Sequence, residues 1–398
     1  MARDIRTGID IGSHNVKVVV SERTGENKDK DLPRILASAC VESRGLRQGY
    51  IVNDAEVSES VRLAIAEAEK QAQIKIKEAF LAVGGMGLES IISSGSAVVS
   101  RGDAEISELD VDKAHEAARL AIPQNAIVNR RILHSIPLQY KTDGRDVLGN
   151  RPVGLKAMKI EVRMLFVTYL DKHLQDLIQA VESAGVEVID AMASPIAASL
   201  VSLNKTQKMA GCVLANIGAE TVSIVVYENG TPVSLEVFPI GSTDITNDIA
   251  LGLKVSLEEA ERIKLGAITN SNFSKKRLDE IVIARLSDIF DLIEAHLKKL
   301  GRSGLLPAGI IITGGGSGLS SIEDLAKAAL KLPSKVSLLT VPQGGKQQVK
   351  DATWSVAYGL CIWGFSGDSS RPRESVNFGS FSKKFWRTLG DSVKPFLP

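Results

Sequence analysis

The chain opens on two β-branched runs, Ile5–Ile11 and Val16–Val20, separated by the polar, glycine-containing Gly12–Asn15, and this reads as strand, tight turn, strand. A third strand is predicted over Ile35–Val41. From Asp54 to Ala72 the period changes, with Val57, Val61, Ala64, Ile65 and Ala68 at helical spacing and Asp54 as the expected N-cap. Phe80–Val83 is a short buried strand ending at Gly84-Gly85. Between about Gly85 and Met164, strand-like segments surround one helix, Asp110–Ala121. That texture predicts a small inserted α+β unit, bounded by the turn-rich Gly84–Gly87 and Gly149–Gly154. The main body resumes with strand Leu165–Tyr169, helix Asp171–Ala184, strand Val186–Asp190 and helix Pro195–Leu203. The alternation predicts parallel strands with crossover helices.

The opening theme then returns. Gly211–Ile217, Thr221–Tyr227 and Val233–Pro239 read as three successive strands, which suggests a duplicated architecture. Helices are expected at Thr243–Leu251, Leu257–Leu265 and Lys276–Leu300, followed by strand Gly309–Thr313, a Gly314-Gly315-Gly316 turn, helix Leu319–Leu330 and helix Asp351–Trp363. Ser366–Ser380 is polar and aperiodic and reads as a linker. From Phe381 the chain is periodic again. At roughly 100° per residue, Phe381, Phe385, Trp386, Leu389 and Val393 span about 0 to 140°, whereas Lys383, Lys384, Arg387, Asp391 and Lys394 span about 200 to 300°. Aromatic and basic faces separated in this way predict a helix lying in a membrane interface. A helix docked on the body or on a partner is the alternative, and the preceding linker and mainly basic polar face favour the membrane.

Composition narrows the class. The 398 residues suit two lobes, and the net charge of +1 offers no overall footprint for nucleic acid. Three cysteines, far apart in sequence, fit a reducing compartment and read as small buried apolar side chains. The N-terminus lacks the apolar core of a signal peptide, and the longest apolar runs are strand-length, so the expected location is cytoplasmic. The five histidines show no metal-ligand spacing.

Three glycine turns carry the candidate chemistry: GIDIGSHNVKVVV (Gly8–Val20), LANIGAETVSIVV (Leu214–Val226) and IIITGGGSGL (Ile310–Leu319). Small residues in tight turns let backbone N–H groups approach phosphate oxygens. Any one copy is weak evidence, but three in this order are a strong signal. No Walker-type loop is present.

The set resembles the actin/Hsp70/sugar-kinase superfamily and, within it, the FtsA family of bacterial actin-like cell-division proteins. The closer likeness rests on SRGLRQGYIVN (Ser43–Asn53), the insertion after Val83, RPVGL (Arg151–Leu155) with its following strand, PIAASL (Pro195–Leu200), EEAERIK (Glu258–Lys264) and the linker-plus-helix tail. The resemblance implies an α/β, two-lobed, actin-like (ribonuclease H-like) fold with a small α+β insertion and a C-terminal amphipathic helix. The organisation it suggests is a first lobe at 1–84, continued at 165–203 and 351–365, with the insertion at 85–164. The second lobe covers 204–243 and 301–350, with an upper subdomain at 244–300, then a linker at 366–380 and a membrane-targeting helix at 381–398.

By the same resemblance the cofactor is ATP or ADP with Mg²⁺. Asp10 matches the acid that positions metal-bound water, and Gly12, Ser13, His14 and Asn15, with Lys17, match the first phosphate loop. Asn216 and Gly218, Ala219, Glu220 and Thr221 match the second, Glu261 and Lys264 lie near ribose and adenine, and Gly314, Gly315 and Gly316 match the adenosine loop. From the residues alone, Glu261 and Lys264 read as an exposed i,i+3 helix pair. No catalytic residue is assigned. The family's second loop carries Asp-apolar-Gly-Gly-Gly-Thr, and Asn216, Ala219 and Glu220 depart from it, as does Ser194 where an acid often precedes the proline. Asparagine cannot activate a water, and Glu220 opposes phosphate unless it points away or has itself become a metal ligand or base.

The implied partners are the tubulin-like polymer FtsZ, met by the upper subdomain, further copies of the chain in a filament, and anionic lipids. The lipids would be met by Phe381, Lys383, Lys384, Phe385, Trp386, Arg387, Leu389, Val393 and Lys394 on the inner face of the cell membrane. Hydrolysis is expected to be weak or absent. A PilM-like assembly adaptor and an actin-superfamily phosphotransferase remain as alternatives, while a peptide-binding domain of the Hsp70 type is missing.

Overall fold

Two glycine-turned hairpins organise the two halves of the molecule. The computed structural model describes residues 4–23, 32–267, 274–343 and 347–366. β1 (Asp4–Ile11) and β2 (Asn15–Arg23) pair antiparallel, and β3 (Arg34–Glu42) joins the outer side of β2. Two-residue strands β4 (Leu46–Arg47) and β5 (Tyr50–Ile51) make a small hairpin. Helix α1 (Asp54–Ala72) then buries Val57, Val61, Ala64, Ile65 and Ala68 against the first core. Its N-cap is Asn53, not Asp54: the Asn53 side chain accepts the Glu56 N–H, and Asp54 lies in the first turn, where the helix dipole favours a carboxylate. β6 (Glu78–Val83) lies parallel to β1.

The inserted sheet contains β7 (Leu88–Val98), α2 (Glu108–Leu120) and α3 (Gln124–Ile127), then β8 (Arg130–Thr142), β9 (Arg145–Asp146) and β10 (Lys159–Leu170), in the strand order β7-β10-β8-β9. Leu165–Tyr169, read from sequence as a main-lobe strand, is the second half of β10. It pairs with β7 and β8 and has no ladder to the main sheet. The reason is the pleat, which sends successive residues to opposite faces. Met164 and Phe166 pack in the core beneath α2, while Leu165, Val167 and Tyr169 enter the core of the first lobe.

α4 (Asp171–Glu182) leads to β11 (Glu187–Ala193), which runs parallel to β6 and completes the sheet β11-β6-β1-β2-β3. α5 (Ser194–Ser202) and a short α6 (Lys205–Ala210) carry the chain into the second lobe. There β12 (Cys212–Ile217), β13 (Val222–Glu228) and β14 (Thr231–Phe238) form an antiparallel meander. α7 (Ser242–Leu253), α8 (Leu257–Lys264) and α9 (Lys275–Lys299) follow. β15 (Ile310–Thr313), α10 (Ile322–Leu330) and β16 (Ser334–Val336) complete a sheet ordered β14-β13-β12-β15-β16. The two five-stranded sheets have the same plan, a three-stranded antiparallel meander extended by two parallel strands.

Two helix starts differ from expectation. The Gly314–Gly316 turn runs into a 3₁₀ segment, Gly315–Gly318, so α10 begins at Ile322 and not at Leu319. After the hairpin of β17 (Leu339–Gln343) and β18 (Gln347–Asp351), Asp351 ends the strand and caps a 3₁₀ turn by accepting the Thr353 N–H at 2.7 Å. Helix α11 (Ser355–Ser366) therefore starts at Ser355, and it is buried all round against α5 and the first sheet. Cys212 and Cys361 are buried, but Cys40 is exposed, which corrects its reading as a core side chain. Among the described residues no helix is long and apolar enough to cross a membrane. Residues 367–398, with the membrane-facing candidates Phe381 to Lys394, lie outside the described set.

Candidate nucleotide site

The first and second turns close in the same way. The Gly12 N–H donates to the Asn15 C=O at 3.0 Å, and the Gly218 N–H to the Thr221 C=O at 2.9 Å. A Cβ on Gly218 would lie 2.8 Å from the Thr221 carbonyl oxygen, closer than a side chain tolerates, and one on Gly12 3.1 Å from that of Asn15, a tight approach that the turn would have to relieve. Ser13 and Asn15 are half-buried and His14 is exposed. Asp10 and Lys17 are cross-strand neighbours at the mouth of the first turn. Burial pushes the Asp10 carboxyl above its ordinary range, and the Lys17 charge pulls it partly back.

The second and third turns are fused. Parallel pairing of β12 with β15 sets Asn216 beside Thr313, and Gly314 follows at φ 91°. A Cβ on Gly314 would stand 2.3 Å from the Asn216 Oδ1 and 2.5 Å from the Ile217 carbonyl oxygen, while one on Gly316 would meet the Ile217 side chain at 2.5 Å. Gly315 is exposed, with open space above it. On its other side the second turn is held by α7, whose Ser242 and Thr243 N–H groups donate to the Gly218 and Ala219 carbonyls at 2.9 and 2.8 Å.

Glu261 and Lys264 are not an exposed pair. The Lys264 side chain is 7% exposed, and its ammonium donates to the Ser242 C=O at 3.1 Å, the Thr246 hydroxyl at 2.8 Å and the Glu261 Oε2 at 2.7 Å. Those contacts use all three donors of an ammonium. The Thr246 hydroxyl also lies 2.5 Å from the Glu261 Oε2. Burial opposes ionisation of Glu261, but the hydrogen bonds from Lys264 and Thr246, with the charges of Lys264 and His14, hold its carboxyl below the ordinary range. Ser242 and Thr246, one helical turn apart on α7, are partners that spacing on α8 alone does not reveal.

Glu220 is half-buried, and one of its carboxylate oxygens accepts the Gln48 N–H of the first lobe at 2.5 Å. Gln48 is a further participant, marked in the sequence only by the Gln48-Gly49 turn between β4 and β5. Ser194 starts α5 and is buried, its hydroxyl 2.7 Å from where a Cβ on Gly84 would be. The structure thus fuses the second and third turns, sets Asp10 and Lys17 side by side at the first, and ties Glu220 to the first lobe through Gln48. Lys264 stands behind Glu261, and Ser194 packs at the root of the insertion.

Residues 213–359 match the family described as "Cell division protein FtsA", and residues 85–168 match the "SHS2 domain inserted in FTSA". The chain is 30% identical over 350 residues to the cell division protein FtsA of Bacillus subtilis, covering 82% of this chain and 77% of the relative. It is 28% identical over 397 residues to that of Pseudomonas aeruginosa, covering 94% and 93%. A solved PilM–PilN type IV pilus biogenesis complex shares the fold at a TM-score of 0.67 and 18% identity, over 90% of this chain and 98% of that one. With its two matched sheets, its inserted four-stranded sheet and this similarity along most of its length, the chain belongs to the FtsA family of actin-like cell-division proteins.

Proposed function

We propose that the cleft between the three turns binds an adenine nucleotide, ATP or ADP, and hydrolyses it slowly or not at all. The observation that carries this reading is the matched pair of glycine turns, each closed across four residues, with the third turn packed on the second. Turns of this kind cradle phosphate oxygens. Lys17 supplies charge at the first. Among the described residues no cluster of three His, Cys, Asp or Glu could hold a metal. Mg²⁺ would therefore be held by phosphate oxygens and water, with Asp10 fixing one of those waters, and would supply charge neutralisation. Glu261, held by Lys264 and Thr246 through Oε2, has Oε1 for a ribose hydroxyl, and the open side of Gly315 suits the adenosine. Asn216 cannot take a proton from an attacking water, and the Glu220 charge opposes the phosphates. Calorimetry with Mg-ATP alongside a phosphate-release assay tests both halves. Binding with turnover far below that of an actin-like ATPase is expected, and rapid release of phosphate overturns the reading.

In the cell, this activity serves to tether the FtsZ polymer to the inner face of the membrane and to build a filament there. The upper subdomain at 244–300, where Leu251, Leu257 and Leu265 are exposed, is the surface for FtsZ. The tail from Phe381 is the anchor. Lys383, Lys384, Arg387 and Lys394 against Asp391 give about 1 kcal/mol per basic residue at an anionic leaflet, and the aromatic face adds about 25 cal/mol for each Å² buried. Co-sedimentation with liposomes and FtsZ, each present or absent, tests the tether. Trp386→Glu should release the chain from anionic vesicles while its thermal unfolding stays unchanged. A variant that still floats with the vesicles means that the anchor lies elsewhere.

A further inference from the structure

The β4–β5 hairpin joins three parts of the molecule through one strained peptide. Gln48 has φ 50° and Gly49 has φ 87°, the positive pair of a two-residue hairpin turn that Asn-Gly or Gly-Gly adopts more readily than a glutamine does. Both sides of Gln48 are used. Its N–H donates to the Glu220 carboxylate at 2.5 Å, and its C=O accepts the Met86 N–H at 3.0 Å. Gly49 lies so close to Gly85 that a Cβ on either would stand 2.5 Å from the other's Cα. The Gly49 C=O also accepts the Tyr169 hydroxyl at 3.3 Å. Gly85 and Met86 lead into the insertion and Tyr169 lies next to the end of the strand that returns from it, so the hairpin grips both crossings while Glu220 grips the hairpin. A separate contact joins the insertion to the second lobe. The Ser90 hydroxyl donates to the Leu235 C=O at 2.7 Å and accepts the Leu235 N–H at 3.2 Å, fastening β7 to the edge strand β14.

We infer that Glu220 is a nucleotide-sensitive latch that sets how the inserted subdomain sits on the body. This rests on the proposal that the second turn takes the phosphates of a nucleotide. In the arrangement observed, the carboxylate holds the Gln48 peptide in its strained conformation, and Gln48 in turn holds Met86. When an anionic phosphate chain occupies the turn, carboxylate and phosphate oxygens repel in a half-buried setting, and Glu220 leaves Gln48. The hairpin then relaxes and the root of the insertion loosens at Met86, while Ser90–Leu235 and the core shared with the first lobe keep the sheet attached. A signal at the phosphate loop would thus reach the inserted subdomain through two hydrogen bonds.

The test is amide hydrogen exchange on the full chain, read by mass spectrometry over peptides spanning 45–51 and 84–90, for the wild type, Glu220→Ala and Glu220→Gln. Each is measured free and with Mg-ATP, while calorimetry on the same samples reports binding and circular dichroism reports folding. Without nucleotide, Glu220→Ala should exchange roughly tenfold faster in both peptides, the least that losing a hydrogen bond to a charged group gives. Glu220→Gln, whose amide oxygen still accepts, should stay near the wild type. With Mg-ATP the wild type should rise to the level of Glu220→Ala, and Glu220→Gln, with no charge to expel, should remain protected. Unchanged exchange in Glu220→Ala overturns the latch. An equal rise in Glu220→Gln on adding ATP overturns the trigger by charge. If calorimetry finds no ATP bound, the nucleotide reading and the trigger fall together, while the free-state comparison still reports whether Glu220 holds the hairpin.

Discussion

Lys264 spends its whole donor capacity inside the protein, on Ser242, Thr246 and Glu261. It therefore acts by positioning Glu261 and not by reaching a ligand. Removing one partner of a buried ion pair leaves the other uncompensated, at about 3 kcal/mol. Lys264→Met should lower the stability in urea by that order, and Glu261→Gln, which leaves the buried Lys264 charge unpaired, by a comparable amount. Losses below about 1 kcal/mol in both variants would mean that the pair does not hold the site together. The glycine turn offers a second pair of tests. Gly314→Ala places a methyl group against the Asn216 Oδ1 and the Ile217 carbonyl at positive φ, so it should destabilise the fold and abolish ATP binding together. Gly315→Ala meets open space, so it should change stability by less than about 0.5 kcal/mol yet weaken ATP binding roughly tenfold. Unaltered affinity in Gly315→Ala would place the ligand elsewhere. At this scale Gly12 and Gly218 were legible in sequence as turn residues because each acts within its own turn. The burial of Lys264 and the hold on Glu220 were not, because their partners lie 22 and 172 positions away in the chain.

Strands and helices with a clean period were readable as elements: the hairpins of both lobes, α1 and α9 follow runs of β-branched residues or a 3.6-residue stripe. Elements decided by their neighbours were not. The strands of the β4–β5 hairpin are two residues long, too short for any period, and β10 continues past Met164 because both of its faces are covered. β11 shows what such burial does to a charge. Its Asp190 sits beside a register shift, 5% exposed, and burial pushes its carboxyl up to about 7, with the Ala191 N–H opposing. Between about pH 4 and 7 the folded chain keeps a proton that the unfolded chain has lost, so Asp190 makes stability fall as pH rises through that window. Asp190→Asn should remove this slope and stabilise the protein at pH 8 by up to about 4 kcal/mol, with little change at pH 4. Urea midpoints of the two proteins across that range decide it, and parallel curves would refute it. His134 works in the opposite sense. Burial lowers its ring to about 3 while Nε2 accepts the Ala193 N–H at 3.1 Å, so its contribution is lost as pH falls below about 6.5. The comparison with Asp190→Asn, and not the wild-type curve alone, therefore isolates Asp190.

At the scale of the molecule, the inserted sheet is a shared part and not an appendage. One face packs beneath α2, and the other gives Leu133, Ile136, Leu165, Val167 and Tyr169 to the core of the first lobe. Excising residues 85–164 would cut β10 in the middle and bare that core, so the truncated chain should aggregate instead of leaving a folded remainder. We propose that this subdomain meets a further copy of the chain in the filament, and a gentler probe tests it. The segment after β9 carries Leu148, Val153, Leu155 and Met158 exposed, Leu148 at 94%, while Ile106, Tyr140 and Ile160 nearby are buried. Such a run on a surface marks a contact, and each leucine covered there is worth about 1.5–3 kcal/mol. Leu148→Asp with Leu155→Asp should therefore raise the concentration needed for filaments on lipid by about a hundredfold, since each 1.4 kcal/mol is a factor of ten. Thermal unfolding of the soluble chain should be unchanged, because neither side chain belongs to a core. Electron microscopy of the double variant on anionic vesicles reads the outcome. Filaments at the wild-type concentration would move the contact to another face of the molecule, and a lowered unfolding temperature would show that the segment serves the fold and not assembly.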